Sequence, residues 1–300
     1  MSDIEIKKLQ DTFGAENINF YAGPGDLPAV KFHNSFGEAS MTLLGAHVLS
    51  YQPAGAVPVI WMSGKSIFKS GEAIRGGVPV CWPWFGPDPE GKFGGHGYAR
   101  LANWQVAGAV NSPSGETTVT MVLTEKEVDA KFAPQPFKLE LSVTLGSALT
   151  LALKIYNTGS EDLHYSGALH SYFNVADASA IAVEGLADCE YTDKVLECES
   201  KQEGAVIIDR EIDRVFRNTS GIVRICDPVF GRTIKVAKSG STSTVVWNPW
   251  IEKSKRMADF GDEEYHTMVC VEAANAPAAG DDRTLVPGGM AELRQMISLE

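Results

Sequence analysis

An imidazole can give or take a proton near neutral pH, and a carboxylate held away from water can take one. This 300-residue sequence offers one of each at the end of an apolar run. Residues 163–170 read LHYSGALH and close on His170. An unperturbed imidazole titrates near ~6.5, so it serves as acid or base. Residues 267–272 read TMVCVE, with Glu272 last. A buried carboxylate without a partner costs several kcal/mol or takes up a proton. A general base needs such a place, desolvated yet reachable by substrate. The structural alternatives are a core histidine bonded to backbone and a rim carboxylate in a salt bridge.

The second cluster lies in residues 65–100, KSIFKSGEAIRGGVPVCWPWFGPDPEGKFGGHGYAR. Its glycines and prolines exclude a regular helix. Trp82, Trp84 and Phe85 make it too aromatic for a solvated linker. Arg75 precedes Gly76-Gly77, His96 follows Gly94-Gly95, and Arg100 comes four residues later. The combination reads as one wall of a small-molecule site; a long packed loop with surface arginines is the alternative. Asp213, in EIDRVF before an expected short strand, could accept hydrogen bonds from two neighbouring sugar hydroxyls, or simply close a turn. Trp247-Asn248-Pro249-Trp250 forms another aromatic corner, suited to the apolar C–H face of a sugar ring or to core packing. Residues 252–264 read as a solvated charged loop without chemistry.

The elements that must position these groups have a period of two. Phe137, Leu139, Leu141, Val143 and Leu145 alternate with Lys138, Glu140, Ser142 and Thr144. After Gly146-Ser147-Ala148 the rhythm resumes through Leu149, Leu151, Leu153 and Ile155, which is a hairpin with one buried face. Further strands are expected at residues 40–51 (with Gly45 as a bulge or close approach), 103–110, 116–124, 163–170, 180–186, 222–226, 233–237, 244–247, 267–272 and 292–297. Only residues 3–14 could make one short amphipathic turn or two. Strands do not alternate with long helical patterns, so a βαβ fold is disfavoured and an all-β sandwich with large sheets is expected. No repeat or compositional break divides the chain. Residues 1–300 are therefore expected to form a single domain, with residues 1–25 as an N-terminal extension.

Composition narrows the function classes. A formal net charge of −12 disfavours wide nucleic-acid binding. No apolar run reaches the ~18 residues of a membrane helix, and the first residues lack a leader's apolar stretch, which reads as a cytoplasmic protein. The five cysteines are scattered with no CxxC, so buried thiols are expected rather than disulfides or a zinc knuckle. His96, His170 and Glu272 could in principle ligate a metal, but no HxH or HxxxH pairing supports it. There is no GxSxG elbow, Walker loop, HExxH helix or GxGxxG after a strand.

Taken together, FKSGEAIRGGVPVCWPWFGP, HGYAR, ALHSYFNV, the EIDRVF aspartate, WNPW and VCVEAAN resemble, in the same order, the hexose-6-phosphate branch of the aldose 1-epimerase family. The resemblance spans about residues 30–297. It implies a large antiparallel β-sandwich, the supersandwich of galactose-mutarotase-like proteins, acting as a monomer without cofactor or metal. It implies interconversion of the α and β anomers of glucose 6-phosphate. His170 falls on the family's general acid and Glu272 on its general base. Arg75 and Arg100 fall on phosphate-holding positions, and His96 and Asp213 on positions lining the sugar. Gly95 stands where relatives often carry a polar residue. The rival readings are a mutarotase for free aldoses, a carbohydrate-binding protein without catalysis, and a glycoside hydrolase using Asp213 and Glu272 as its carboxylate pair.

Overall fold

Alternating apolar and polar residues become strands whose apolar side chains line one face. The computed structural model describes residues 3–300; Met1 and Ser2 of the expected extension lie outside the described residues. The 137–155 hairpin forms as expected, from Phe137–Leu145 and Leu149–Asn157, with Phe137 opposite Asn157 and Leu145 opposite Leu149. It sits within a nine-stranded antiparallel sheet. On one side of the hairpin follow Thr117–Thr124 and Gln105–Asn111, and on the other Met290–Leu299, Arg232–Ser239, Val223–Asp227, Ala182–Glu184 and Val206–Ile207. The architecture is all-β, as the sequence suggested, with no βαβ unit among the described residues.

A second, eight-stranded sheet carries the short strands. Its order is Cys198–Lys201, Glu190–Asp193, Ile212–Phe216, Ser243–Asn248, Met268–Asn275, Gly167–Leu169 and Val80–Cys81, with Tyr172–Asn174 also paired to Met268–Asn275. The central strand, Met268–Asn275, is buried at every residue. Val269, Val271 and Ala273 join Leu139, Leu141, Leu151 and Leu153 in one core. Met268, Cys270 and Ala274 join Trp61, Tyr172, Val245 and Trp247 on the opposite face. Glu272 shares that second face, because residues two apart on a strand point the same way. Each apolar side chain buried here contributes about 1.5–3 kcal/mol.

Several elements differ from expectation, for identifiable reasons. Residues 40–51 are not one strand. Gly37–Thr42 and Val48–Pro53 are separated by a turn through Gly45 at φ +72°, where a Cβ would stand 2.8 Å from the Arg100 carbonyl oxygen. Residues 163–170 divide at Ser166. Leu163–Tyr165 pairs with Arg283–Leu285, whereas Gly167–Leu169 belongs to the eight-stranded sheet. Asp213 lies within Ile212–Phe216 rather than before a strand. The N-terminal residues do contribute: Asp3–Phe13 is a helix, and Ile6, Leu9 and Phe13 pack on the core beside Ile18 and Phe20. Residues 252–264 are not a plain solvated loop, since Trp250–Ser254 is helical and Phe260 is fully buried. Of the five thiols, Cys81 and Cys270 are buried as expected, Cys189 and Cys226 are half-buried, and Cys198 is exposed.

Candidate active site

The eight-stranded sheet brings distant side chains into register. Asp213 stands opposite Trp247, Trp247 opposite Cys270, and Cys270 opposite Tyr172, so these four form one row across the sheet. Glu272 stands opposite Val245, two residues along. His170 follows Gly167–Leu169 directly, and its backbone N–H donates to the Pro79 carbonyl at 3.1 Å. The strand ends there, so the imidazole turns over the sheet and stacks on the Tyr172 ring at 4.8 Å between centroids and 9° between planes. Its Nε2 lies 3.4 Å from Glu272 Oε1.

His170, Tyr172, Asp213, Val245, Trp247 and Glu272 line a cavity of about 300 Å³, together with Arg75, Phe85, His96, Lys194, Lys253 and Met257; Cys270 is fully buried and is not among the lining residues. Five of the six residues singled out from the sequence therefore meet: Arg75, His96, His170, Asp213 and Glu272. Arg100 is the sixth, and it is not among the residues lining the cavity. Its Nη2 donates to the Gly95 carbonyl at 2.7 Å, and its Nε is buried without a partner. It braces the turn that presents His96. That turn depends on Gly97, at φ +69°, whose missing Cβ would collide with the Trp82 carbonyl oxygen at 2.0 Å. His96 itself adopts φ +67° and crosses the His170 ring at 5.6 Å between centroids.

Arg75 is already partnered. Nε donates to Asp259 Oδ2 at 3.1 Å, Nη2 lies 3.1 Å from the same oxygen, and Nη1 donates to the Tyr172 hydroxyl at 3.0 Å. Burial opposes its charge, but Tyr172 and Asp259 outweigh burial and hold the guanidinium protonated. One hydrogen on each terminal nitrogen remains for a ligand. At the other end of the row, Lys194 Nζ lies 3.8 Å from Asp213, and Lys253 bonds Glu211 at 2.9 Å.

Burial sets the protonation of the central pair. The Glu272 side chain is 1% exposed and that of His170 12%. Desolvation pushes the Glu272 carboxyl well above the usual carboxylate range, and nearby Asp213 adds to it. Desolvation holds His170 well below 6.5, reinforced by His96, Arg75 and Arg100. His96 is driven down to about 3, first by burial and then by Arg100, Lys194 and Arg75. Asp213 is raised by burial against the pull of Lys194 and Lys253. Burial thus favours the neutral form of each partner, a carboxylic acid beside a neutral imidazole 3.4 Å away. Glu272 Oε2 and His170 Nδ1 are buried with no hydrogen-bond partner.

Tyr172, Lys194, Lys253, Met257 and Asp259 join the site without a signal in residue type and spacing that singles them out. The last three belong to the charged segment that looked solvated. Asp259 directly precedes the aromatic Phe260, and that adjacency was the available signal that the segment folds inward.

Comparison with known proteins finds relatives over most of the chain. The family model described as "Aldose 1-epimerase" matches residues 28–297. An Escherichia coli K12 protein described as "Putative glucose-6-phosphate 1-epimerase" is 37% identical over 84% of this chain and 82% of its own. A Cenchrus ciliaris protein of the same description is 37% identical over 83% and 78%. The crystal structure of the Salmonella typhimurium protein YeaD superposes with a TM-score of 0.87 at 32% identity, covering 95% of this chain and 94% of that one. A galactose mutarotase-like protein from Clostridium acetobutylicum shares the fold at TM-score 0.73 and 16% identity, over 95% and 99% of the two chains.

Proposed function

The chain belongs to the aldose 1-epimerase family, and we propose that it interconverts the α and β anomers of glucose 6-phosphate by acid–base opening and closing of the ring. The observation that carries this reading is the His170–Glu272 pair, 3.4 Å apart on a cavity that Arg75 also lines.

The proton balance closes within the pair. With the shared proton on His170, Glu272 takes the C1 hydroxyl proton. The C1–O5 bond breaks, and His170 gives its proton to O5. The product is an open-chain aldehyde, with Glu272 protonated and His170 neutral. Rotation about C1–C2 exposes either face of the aldehyde, and the same two transfers in reverse close the ring. The resting tautomer favoured by burial is therefore the one that accompanies the open chain. Each positioned acid or base contributes roughly 10²–10⁴-fold.

The same geometry orients the substrate. Glu272 must face the C1 hydroxyl and His170 the ring oxygen, and O5 leads through C5 to C6. Continuing past His170 along the cavity wall reaches Tyr172 and Arg75, where a 6-phosphate finds the two free guanidinium hydrogens. On the other side of Glu272 stands Asp213, suited to the neighbouring hydroxyls. Trp247 offers its ring to the sugar's C–H face. Arg100 acts from behind the wall, by holding the Gly95–His96 turn and adding positive potential.

One observation favours a second reading, epimerisation of free aldoses. Asp259 and Tyr172 satisfy much of the Arg75 fork, so a neutral sugar does not leave it bare. NMR exchange between anomers, measured for glucose and glucose 6-phosphate, separates the two. Faster exchange of the phosphate ester supports the main reading. Equal acceleration supports the second, and no acceleration over buffer removes both. We further infer a monomer acting in the cytoplasm without a resident cofactor, which gel filtration and cell fractionation test.

A further inference from the structure

Cys270 takes no part in the chemistry above, yet it lies directly against it. It shares a strand face with Glu272, two residues on, and stands opposite Tyr172 beneath the His170 ring. Its sulfur, one His170 nitrogen and one Glu272 oxygen all lie within 4.8 Å of one another. We propose that His170, Cys270 and Glu272 form a binding site for one soft divalent cation, zinc by preference, which stops proton exchange by taking both the acid and the base as ligands.

The donor set decides the class of ion. Thiolate and imidazole select zinc, cadmium or cobalt, whereas magnesium and calcium require oxygen donors. Charge decides that a divalent ion fits. A thiolate and a carboxylate cancel its two charges and the imidazole is neutral, so the buried complex carries no net charge. Geometry is close to what coordination needs. Bonds of about 2.0–2.3 Å to a tetrahedral centre place ligand atoms roughly 3.5 Å apart, and Nε2 and Oε1 are already 3.4 Å apart. The sulfur lies within 4.8 Å of both. The buried, unpartnered Glu272 Oε2 and His170 Nδ1 leave further donor capacity at the site. Substrate or solvent completes the fourth position.

Binding forms metal–sulfur, metal–nitrogen and metal–oxygen bonds. The thiol proton and the proton shared by the pair leave to solvent, and no electron changes hands. Metal binding is thus favoured by rising pH.

The test uses the full-length protein and cobalt(II) as probe. One equivalent is expected to produce a thiolate-to-cobalt charge-transfer band with tetrahedral ligand-field absorption. That band disappears in Cys270→Ser and persists in Cys198→Ser, the exposed thiol. Zinc is expected to inhibit anomer exchange reversibly on chelation. Cys270→Ser should raise the half-inhibiting zinc concentration by at least about tenfold while leaving the metal-free rate unchanged. The absence of a thiolate band in the unmodified protein overturns the proposal, as does a band or an inhibition constant that survives Cys270→Ser. Cys270→Ala repeats the comparison where the serine variant fails to fold, and the unmodified protein's spectrum alone suffices for refutation. Surface binding at His266, whose Nδ1 lies 4.0 Å from Asp177 and whose Nε2 lies 3.7 Å from Glu263, supplies no sulfur and gives no such band. Only the inhibition arm rests on the epimerase reading. A band without effect on any sugar sustains the metal site and removes that reading instead.

Discussion

The two large sheets share one core but treat polar groups in opposite ways. In the nine-stranded sheet, Phe137–Leu145 and Thr117–Thr124 alternate without exception between buried and half-buried residues. Their outward side chains satisfy one another: Thr118 with Thr144 at 2.9 Å, Thr120 with Ser142 at 3.0 Å, Lys138 with Glu140 at 2.9 Å. In the eight-stranded sheet the central strand is buried on both faces and carries Glu272 among valines and alanines. Neighbouring positions hold Ser243, Asn248, Asn275 and the Arg214–Asp193 pair, all buried. Most of these are hydrogen-bonded, whereas the His170–Glu272 pair keeps one unmet atom on each partner. A sheet that supports can be regular and satisfied. A sheet that does chemistry must hold polar groups whose partner arrives from outside, and the regular sheet behind it makes that tolerable.

That contrast predicts which property each sheet loses on mutation. Glu272→Gln and His170→Asn are each expected to lower kcat by about 10²–10⁴-fold, with the fold retained, as stopped exchange and circular dichroism would record. Leu151→Ala in the supporting sheet is expected to do the reverse. It costs about 2–5 kcal/mol of stability in denaturant unfolding, while kcat per folded molecule stays close to that of the unmodified protein. A large kcat loss in the folded Leu151→Ala protein would break the division of labour.

The same contrast explains what could be read from the chain. Leu139, Leu141, Leu151 and Leu153 declared their sheet because one face meets core and the other meets water, which writes a period of two into the sequence. Ile212–Phe216 was hidden, since a short strand buried at four of its five residues leaves little alternation, and Glu190–Asp193 was hidden because its alternation runs over only four residues. Glu272 stood out because an acid among apolar residues has few structural excuses, and His170 because a strand stops beside it. Asp259 and Lys253 were invisible because charges in a charge-rich stretch look like surface even when one of them, on the short Trp250–Ser254 helix, lines a cavity. Register, which aligns Asp213 with Trp247, Cys270 and Tyr172, is a property of pairing between strands and is not carried by any single segment.

A smaller effect sharpens the comparison within the site itself. Asp259 holds Arg75 by two contacts at 3.1 Å and also brings a negative charge near the proposed phosphate. Asp259→Asn keeps an acceptor for the guanidinium and removes that repulsion. At a separation of several ångströms this is worth about 1 kcal/mol, so KM for glucose 6-phosphate is expected to fall roughly fivefold. KM for glucose should not change, and added salt should shrink the difference. An equal change for both sugars would mean that Arg75 does not meet the phosphate.

The smallest effect tests the resting state of the pair, through stability rather than rate. Glu272 titrates well above 4.5 in the folded protein. Below 4.5 it is protonated folded or unfolded and has no influence. Above 4.5 the unfolded chain releases that proton and the folded one keeps it, so stability is lost as pH rises. Removing the carboxyl with Glu272→Gln should therefore raise the melting temperature relative to the unmodified protein more near neutrality than in acid. His170 has the opposite sign. Its folded value lies well below 6.5, so the unfolded chain binds the extra proton first and stability is lost as pH falls beneath 6.5. The relative gain from His170→Asn should appear in acid and vanish above 6.5. Thermal melts of both variants across that range decide the tautomer. If Glu272→Gln instead loses most at neutral pH and His170→Asn loses most in acid, the two groups rest as carboxylate and imidazolium, and burial does not bias the pair toward the open-chain state.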